Sequence, residues 1–259
     1  MSADYSTAII GYGAVGRAMA ELFPGSALYD PALGFDDREA VNRCRFAFVC
    51  VPTPALDDGS CDISAVEESV AWLESEYVVI RSTVPPGTTD VLAEQFAKKV
   101  IFQPEYGPGE TPDHPFQDVR AISWILLGGP QAWTTPVAAL YKRVFNSNLQ
   151  IQKVDARTAE LAKYMENAFL AVKVAFCNEF YDLATRLDVD YDILRESWLL
   201  DPRIGRSHTW VSPDDRGFGG KCLPKDLTAL LSFAETLGLK PELLAGTMRS
   251  NQAVRGENG

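Results

Sequence analysis

The fold is decided by the stretch Ser6-Thr-Ala-Ile-Ile-Gly11-Tyr-Gly13-Ala-Val-Gly16. Its first five residues are mostly apolar and β-branched, which is typical of a strand buried in a parallel sheet. Three glycines with G-x-G-x-x-G spacing follow at once, and a helical apolar face begins at Val15. A second apolar run, Ala27–Asp30, ends in an acid 19 residues after Gly11. This order of strand, glycine turn, helix, strand and acid predicts a dinucleotide-binding unit.

Each residue of the turn has an expected task in holding the cofactor. Gly11 permits the tight turn, Gly13 lets a pyrophosphate approach the backbone, and Gly16 lets the helix close on the sheet. Val15 lies inside the turn and is counted with the cofactor-binding residues. Asp30 is expected to accept hydrogen bonds from the adenosine ribose, and no arginine follows it in Asp30-Pro-Ala-Leu to pair with a 2′-phosphate. The sequence therefore predicts NAD rather than NADP.

Strands and helices alternate over the first part of the chain. Helical segments separate the further apolar runs, which predicts the α/β class with a Rossmann-type, doubly wound, mostly parallel sheet. We place this NAD-binding domain at residues 1–152. The runs that predict its remaining strands are Phe46–Val51, Tyr77–Ile80, Val100–Phe102, Ile122–Leu127 and Leu149–Ile151.

Loops that follow the predicted strands lie at the edge where open α/β sheets hold their ligands. Pro52 and Thr53 follow the third strand and are expected to contact the cofactor. Thr83 follows the fourth, where its hydroxyl either bonds a cofactor or substrate or makes a local turn or cap. Glu105 follows the fifth and is either a ligand-facing acid or a solvated loop residue. Cys50 is expected to pack as a small hydrophobe.

A long helix is predicted in the second half of the chain. Residues 155–187 contain neither proline nor glycine and carry a helical apolar stripe, so the helix spans ~50 Å at ~1.5 Å per residue. A helix of that length between domains typically serves as a spine and a subunit interface. We therefore predict an all-α domain over residues 153–259 and a homodimer formed through this helix. Lys163 and Asn167 share one of its faces, either as site residues or as part of a solvated surface.

A candidate nucleophile occurs in Gly217-Phe-Gly-Gly-Lys-Cys-Leu-Pro-Lys-Asp226. Pro224 suits the first turn of a helix, so Cys222 is predicted at the mouth of one. The positive end of that helix and two neighbouring lysines favour a thiolate there. The alternative is a small residue in a glycine-rich loop.

Composition excludes several classes of function. A net charge of −11 argues against a nucleic-acid surface, and no apolar run approaches a membrane span. Five cysteines without C-x-x-C spacing and two histidines give no zinc pattern, so no metal is expected. The odd number of cysteines and the absence of a signal peptide predict a cytoplasmic protein. We expect no membrane or nucleic-acid partners.

Several motifs together resemble the UDP-glucose/GDP-mannose 6-dehydrogenase family, in the family's order and over almost the whole chain. The Gly217–Asp226 block is the most specific. The others are Gly-Tyr-Gly-Ala-Val-Gly16, Cys-Val-Pro-Thr-Pro54, Ser-Thr-Val-Pro-Pro-Gly87, Pro-Glu-Tyr106, Lys163-Tyr-Met-Glu-Asn167, Asn178-Glu179 and Asp-Pro-Arg-Ile-Gly205.

The resemblance implies oxidation of a nucleotide sugar's C6 alcohol to a carboxylate with two NAD. It makes Cys222 the nucleophile that carries the aldehyde through a thiohemiacetal and a thioester. It implies that Lys163 and Asn167 stabilise the developing oxyanion and that Asp226 helps the base chemistry through a water. It also implies that Glu105 takes part in the hydrolysis of the thioester.

Further matches come from the same resemblance. Thr83 corresponds to a hydroxyl beside the active site, and Arg203 to an arginine that reaches the substrate of a neighbouring subunit. Gly219 is expected at the substrate and Lys225 at the cofactor. The long helix corresponds to the family's dimer interface.

Two departures from the family leave questions open. Gly109 stands where members often have a second glutamate, with Glu110 one residue further, so the role of Glu110 is open. The family's third, nucleotide-gripping domain has no counterpart in this sequence, which predicts weak UDP-sugar binding, with turnover open or dependent on a partner chain. The sugar itself is not specified.

Two other readings of the same residues stay open. A two-domain dehydrogenase of the β-hydroxyacid or 6-phosphogluconate type would use Lys163 and Asn167 but would have no need of Cys222. A non-catalytic NAD-binding remnant would be expected to show an eroded active site.

Overall fold

A computed structural model describes residues 6–107, 117–145 and 148–256. Gly109 and Glu110 lie outside these residues. The chain forms two compact units, one of Met1–Pro54 and Cys61–Lys163, the other of Ala55–Ser60 and Tyr164–Gly259. The division falls inside the long helix, whereas the sequence analysis placed it after residue 152.

The first unit is built on one seven-stranded sheet in the order β2-β1-β3-β4-β5-β6-β7. Every neighbouring pair is parallel except β5 and β6, so the predicted mostly parallel α/β sheet is confirmed. The strands are β1 Thr7–Ile10, β2 Ala27–Tyr29, β3 Phe46–Val49, β4 Tyr77–Ile80, β5 Val100–Phe102, β6 Trp124–Gly128 and β7 Gln150–Val154.

Helices cover both faces of this sheet. Successive strand side chains alternate between the faces, so Ile9 joins the core under α1 and α5 while Ile10 joins the core under α3 and α4. The helices of this unit are α1 Ala14–Leu22, α2 Arg38–Asn42, α3 Ser64–Trp72, α4 Thr88–Gln95 and α5 Gln131–Val144. The short α2 was not predicted. It is begun by Asp37, whose carboxylate accepts the Ala40 N–H at 2.8 Å.

The second unit is helical, as predicted, and has two small apolar cores. One lies around Phe218 and Leu227, the other around Cys177 and Val211. Its helices are α6 Ala156–Arg186, which begins in the first unit, α7 Tyr191–Trp198, α8 Leu223–Thr236 and α9 Glu242–Arg255. The start of α8 is one turn earlier than the apolar spacing from Leu227 suggests, because Pro224 occupies its first turn.

The first turns of α6 belong to the first unit because Glu160 is bonded there. This fully buried carboxylate accepts the N–H of Gly87 at 2.5 Å and both the N–H and the hydroxyl of Thr89 at 2.8 and 2.6 Å. Burial raises the pKa of Glu160, and these hydrogen bonds oppose that rise. The negative group thus stabilises the N-terminus of α4.

Replacing Glu160 by alanine is expected to lower the free energy of unfolding by about 3 kcal/mol, because the Gly87 and Thr89 donors would stay buried without an acceptor. Urea unfolding followed by circular dichroism measures this loss. Asp155→Ala is the matched control. Asp155 also bonds at a helix start, accepting from the backbone and hydroxyl of Thr158, but it is exposed, so about 1 kcal/mol is expected. Equal losses in the two variants would refute the role given to Glu160.

Candidate active site

The glycine turn after β1 has the geometry that a dinucleotide requires. Gly11 has φ +86°, and a Cβ there would lie 2.8 Å from the Cys50 carbonyl oxygen. A Cβ on Gly16 would lie 1.9 Å from the Gly11 carbonyl oxygen. Gly13 is different, because a Cβ there would have no described atom within 4 Å. Gly11 and Gly16 are therefore needed by the fold itself, whereas Gly13 leaves open space above the backbone.

This open space lies at the N-terminus of α1. Gly13 is the residue before the helix, and within the described residues no side chain caps its first amides. Such amides carry partial positive charge and suit a phosphate. The predicted pyrophosphate site therefore fits the structure. Val15 lies just inside the helix and packs against the sheet core.

Asp30 stands at the end of β2, as the sequence predicted for a ribose-binding acid. Its Oδ2 accepts the Tyr12 N–H at 2.8 Å, a bond that orients the carboxylate beside the glycine turn. The loop behind it closes through two backbone bonds to Phe35, of 2.8 and 3.1 Å. The position of Asp30 therefore fits an adenosine ribose, although the Tyr12 contact had no signal in the sequence.

The loops after β3 and β4 are tied to each other. The buried Thr53 hydroxyl donates to the Thr83 carbonyl at 2.9 Å, and the Ser82 hydroxyl donates to the Val51 carbonyl at 2.6 Å. Pro52 is exposed and Thr83 is half-buried. Thr53 thus uses its hydroxyl within the protein, and it fixes the two loops at the edge of the sheet where ligands bind.

Glu105 is not a solvated loop acid. Its carboxylate pairs with the buried Arg81 and also accepts the N–H groups of Tyr106 and Gly107 at 2.8 and 2.7 Å. Arg81 in turn donates to the carbonyls of Gln103 and Pro104 at 3.3 and 3.2 Å, which fixes the loop after β5. The sequence analysis missed Arg81, for which the available signal was an arginine directly after a buried strand.

Lys163 is the last of the predicted site residues that lie in the first unit. Its side chain is buried, and its Nζ lies 4.9 Å from the centre of the Tyr106 ring, next in the chain to Glu105. A cation over an aromatic face at this distance is attracted to it. The structure therefore places this predicted oxyanion-binding lysine at the Glu105 loop.

In the second unit a buried carboxylate, Asp226, lies one helical turn after the predicted nucleophile. Cys222 is exposed and is the residue before α8, and its carbonyl accepts the Asp226 N–H at 2.9 Å. Asp226 is 2% exposed. Its carboxylate accepts from the Asn167 amide and the Lys225 ammonium, each at 2.5 Å. The structure thus brings Asn167, Lys225 and Asp226 into direct contact. The resemblance implied that Asn167 and Asp226 share an active site, but the direct bond between them was not predicted.

The two remaining predicted substrate residues are placed elsewhere in this unit. Arg203 is highly exposed and pairs with Asp201 at 2.5 Å, and no described bond joins it to the Asn167–Asp226 cluster. Gly219 is covered by the Arg255 guanidinium, since a Cβ there would lie 3.0 Å from Nη2.

Neither a metal-ion cluster nor a membrane-spanning helix occurs in the parts of the chain that the structure describes. No group of three or more histidine, cysteine, aspartate or glutamate side chains there could hold a metal ion. No helix there combines the length and hydropathy needed to cross a membrane.

The parallel sheet, the glycine turn and Asp30 define a dinucleotide-binding protein of the Rossmann class. Residues 27–147 match the sequence model of the UDP-glucose/GDP-mannose dehydrogenase family, NAD binding domain, and residues 157–253 match that of the same family's central domain. The chain belongs to the UDP-glucose/GDP-mannose dehydrogenase family, as the motifs predicted, and its cofactor is NAD.

Relatives and solved structures agree with this assignment. The UDP-glucose 6-dehydrogenase of Pseudomonas aeruginosa is 32% identical over 85% of this chain and 50% of its own length, and that of Rickettsia typhi is 30% identical over 79% and 48%. The structure of a UDP-glucose dehydrogenase from Pyrobaculum islandicum matches with a TM-score of 0.82 at 29% identity, over 97% of this chain and 69% of that chain. The chain thus spans about half the length of these two UDP-glucose 6-dehydrogenases.

Proposed function

We propose that the chain catalyses the NAD-dependent oxidation of a nucleotide-sugar C6 alcohol to the carboxylate, of the UDP-glucose to UDP-glucuronate type. The observation that carries the proposal is the exposed Cys222 at the start of α8, followed one turn later by the buried Asp226 carboxylate that Asn167 and Lys225 hold. The names of the relatives, UDP-glucose 6-dehydrogenase, support this choice of substrate class.

The chemistry gives Cys222 a specific task. Bound NAD supplies the hydride acceptor for each of the two oxidations. After the first one, the aldehyde has no O–H bond that a base can break. Addition of the Cys222 sulfur to the aldehyde carbon forms a thiohemiacetal, whose oxygen loses its proton as the carbon loses a hydride, which leaves a thioester. Water then adds to the thioester carbon, and the C–S bond breaks to release the carboxylate and the thiol.

The other residues receive supporting roles in this proposal. Asp226, held by two donors, takes part in base chemistry through a water. Lys163 and Asn167 stabilise the developing oxyanion. Glu105 assists the water that hydrolyses the thioester, and its pairing with Arg81 fixes the position of the carboxylate.

Four more residues are assigned to binding by the family pattern. We propose Thr83 as the hydroxyl beside the site, Gly219 as a substrate contact, and Lys225 as a cofactor contact. Arg203 is proposed to reach the substrate of a neighbouring subunit, which agrees with its exposed position.

The substrate class is tested by NADH formation from single substrates at millimolar concentration. The full chain with NAD is expected to reduce it with UDP-glucose or a related nucleotide sugar, and not with 3-hydroxy acids. NADH formed from a hydroxy acid alone would favour a β-hydroxyacid dehydrogenase. NAD binding without reduction by any of these substrates would favour a non-catalytic protein.

We propose further that the chain forms a homodimer through α6. Large apolar side chains that are half or more exposed lie along this helix. An exposed apolar face of this kind commonly marks a surface that contacts another protein chain. The separations of these side chains, four residues from Met165 to Phe169 and fourteen from Phe169 to Leu183, are close to whole helical turns and put them on one side. They include Met165 at 72% exposure, Phe169 at 61% and Leu183 at 51%.

Phe169→Asp is expected to convert this dimer to a monomer, because it puts a charge in the middle of the apolar face. Light scattering coupled to gel filtration gives the mass directly. The control is Leu243→Asp, which changes an even more exposed leucine on α9 and is expected to leave the dimer intact. A monomeric wild-type chain, or a dimer in both variants, would show that α6 is not the interface.

A further inference from the structure

The segment that leads to Cys222 is bonded to α6 through Asn178. This side chain is 1% exposed, and its Oδ1 accepts the Gly217 N–H at 3.1 Å and the Arg216 Nε at 2.7 Å. Its Nδ2 donates to the Val174 carbonyl at 2.9 Å, a bond that fixes which way the amide faces. Every polar atom of the Asn178 side chain is therefore engaged.

The same segment is bonded to α9 through Asn251. Its Oδ1 accepts the Phe218 N–H at 2.6 Å, and its Nδ2 donates to the Phe218 carbonyl at 2.9 Å. This pair of bonds satisfies both backbone groups of a residue whose ring is buried in the core around Leu227. Asn251 is itself 6% exposed. Phe218 is thus held by its backbone and by its side chain.

The glycine between these contacts is required by them. Gly217 has φ +75°, and a Cβ on it would lie 2.4 Å from the Asn251 Oδ1. Any other residue would displace the Asn251 amide from its bonds to Phe218. The first glycine of the Gly217–Asp226 block therefore serves this contact rather than a ligand.

We propose that Asn178 and Asn251 are positioning residues that aim Cys222. Only Gly219, Gly220 and Lys221 separate the clamped Phe218 from Cys222, and Gly220 adopts φ +72°. Such a glycine pair is flexible unless both of its ends are fixed. The two asparagines fix one end and α8 fixes the other. The inference deepens the proposed function, on which it rests for the role of Cys222 as nucleophile.

We call the hydrogen bonds of Asn178 and Asn251 to residues 216–218 the clamp. It is tested in the full chain with Asn178→Leu and Asn251→Leu, which remove these hydrogen bonds and keep a similar side-chain volume. Amide exchange of the peptide covering residues 216–222 is expected to accelerate about tenfold or more for each variant, because each loses two hydrogen bonds to that segment. Mass spectrometry of the peptides also separates Cys222 from the other cysteines.

The second readout is the rate at which iodoacetamide alkylates Cys222 across a range of pH. The clamp holds Cys222 at the positive end of α8, so loosening it is expected to move the midpoint of the rate profile to higher pH. The decrease in nucleotide-sugar oxidation is expected in kcat more than in KM. Asn251→Asp keeps the acceptor for the Phe218 N–H. It is therefore expected to show smaller changes than Asn251→Leu in exchange, alkylation and oxidation.

The control is Thr247→Val, one turn earlier on α9. Thr247 is equally buried, but its hydroxyl bonds the Leu243 carbonyl within its own helix, and no described hydrogen bond joins it to the segment. Clamp variants that fold as stably as Thr247→Val, with unchanged exchange and alkylation, would overturn the proposal. The two proposals can fail independently. Faster exchange and a shifted alkylation profile in the variants would support the clamp, even if the wild-type chain oxidised no nucleotide sugar, a result that would refute the proposed function.

Discussion

Cys222→Ser is expected to stop oxidation at the aldehyde, so that carboxylate formation falls by about 10³-fold or more while NAD binding stays unchanged. The first hydride leaves from an alcohol and needs no thiol. The second needs a group that adds to the aldehyde, and a serine hydroxyl is a far weaker nucleophile than a thiolate. Trapping the aldehyde with a hydrazine and identifying the adduct by mass spectrometry measures this result.

The control for this experiment is Cys44→Ser. Cys44 is half-buried and its thiol bonds the Ala40 carbonyl at 3.5 Å in the first unit, so its replacement is expected to leave both oxidations intact. If Cys222→Ser produced the carboxylate at the wild-type rate, the thioester route would be wrong, and a hydrated aldehyde would have to be the species oxidised.

The two glycines of the phosphate turn are expected to respond differently to the same substitution. Gly13→Ala adds a methyl group where the protein leaves open space, so the fold is expected to keep its stability while NAD affinity falls by about 100-fold. Gly16→Ala puts a Cβ 1.9 Å from the Gly11 carbonyl oxygen, so the turn must open. We expect it to lose about 3 kcal/mol of unfolding free energy together with NAD binding. Calorimetric NAD titration and thermal unfolding separate the two effects.

Gly25→Ala controls for the general cost of replacing a glycine. Gly25 has φ +84° in the turn after α1, and a Cβ there has no described atom within 4 Å. It is expected to cost about 1 kcal/mol through backbone strain and to leave NAD affinity unchanged. NAD affinity at the wild-type level in Gly13→Ala would contradict the placement of the pyrophosphate at this turn.

The fold was predictable because its signals are local. Ile9 and Ile10 lie in a short apolar run, and Gly11 and Gly16 stand at the spacing that the backbone of the turn demands. Asp30 was placed for the same reason, since it directly follows the second strand. The helix signal of the 155–187 segment was equally local, because proline and glycine are absent from it.

The bonds that build the site were not predictable in this way. Asn167 and Asp226 are 59 residues apart in the chain, and Asn178 and Gly217 are 39 apart. Such pairs depend on how distant helices pack, which no periodicity encodes. The sequence showed polar residues at these positions, but it could not tell a solvated asparagine from one whose amide is fully bonded.

Exhaustive oxidation of UDP-glucose by the full chain, with NAD in excess, tests the central claim most directly. The measured quantity is NADH formed per sugar consumed, with the product identified by mass spectrometry. The account predicts two NADH per sugar and UDP-glucuronate as the product. One NADH per sugar, with the aldehyde as the end product of the wild-type chain, would contradict it.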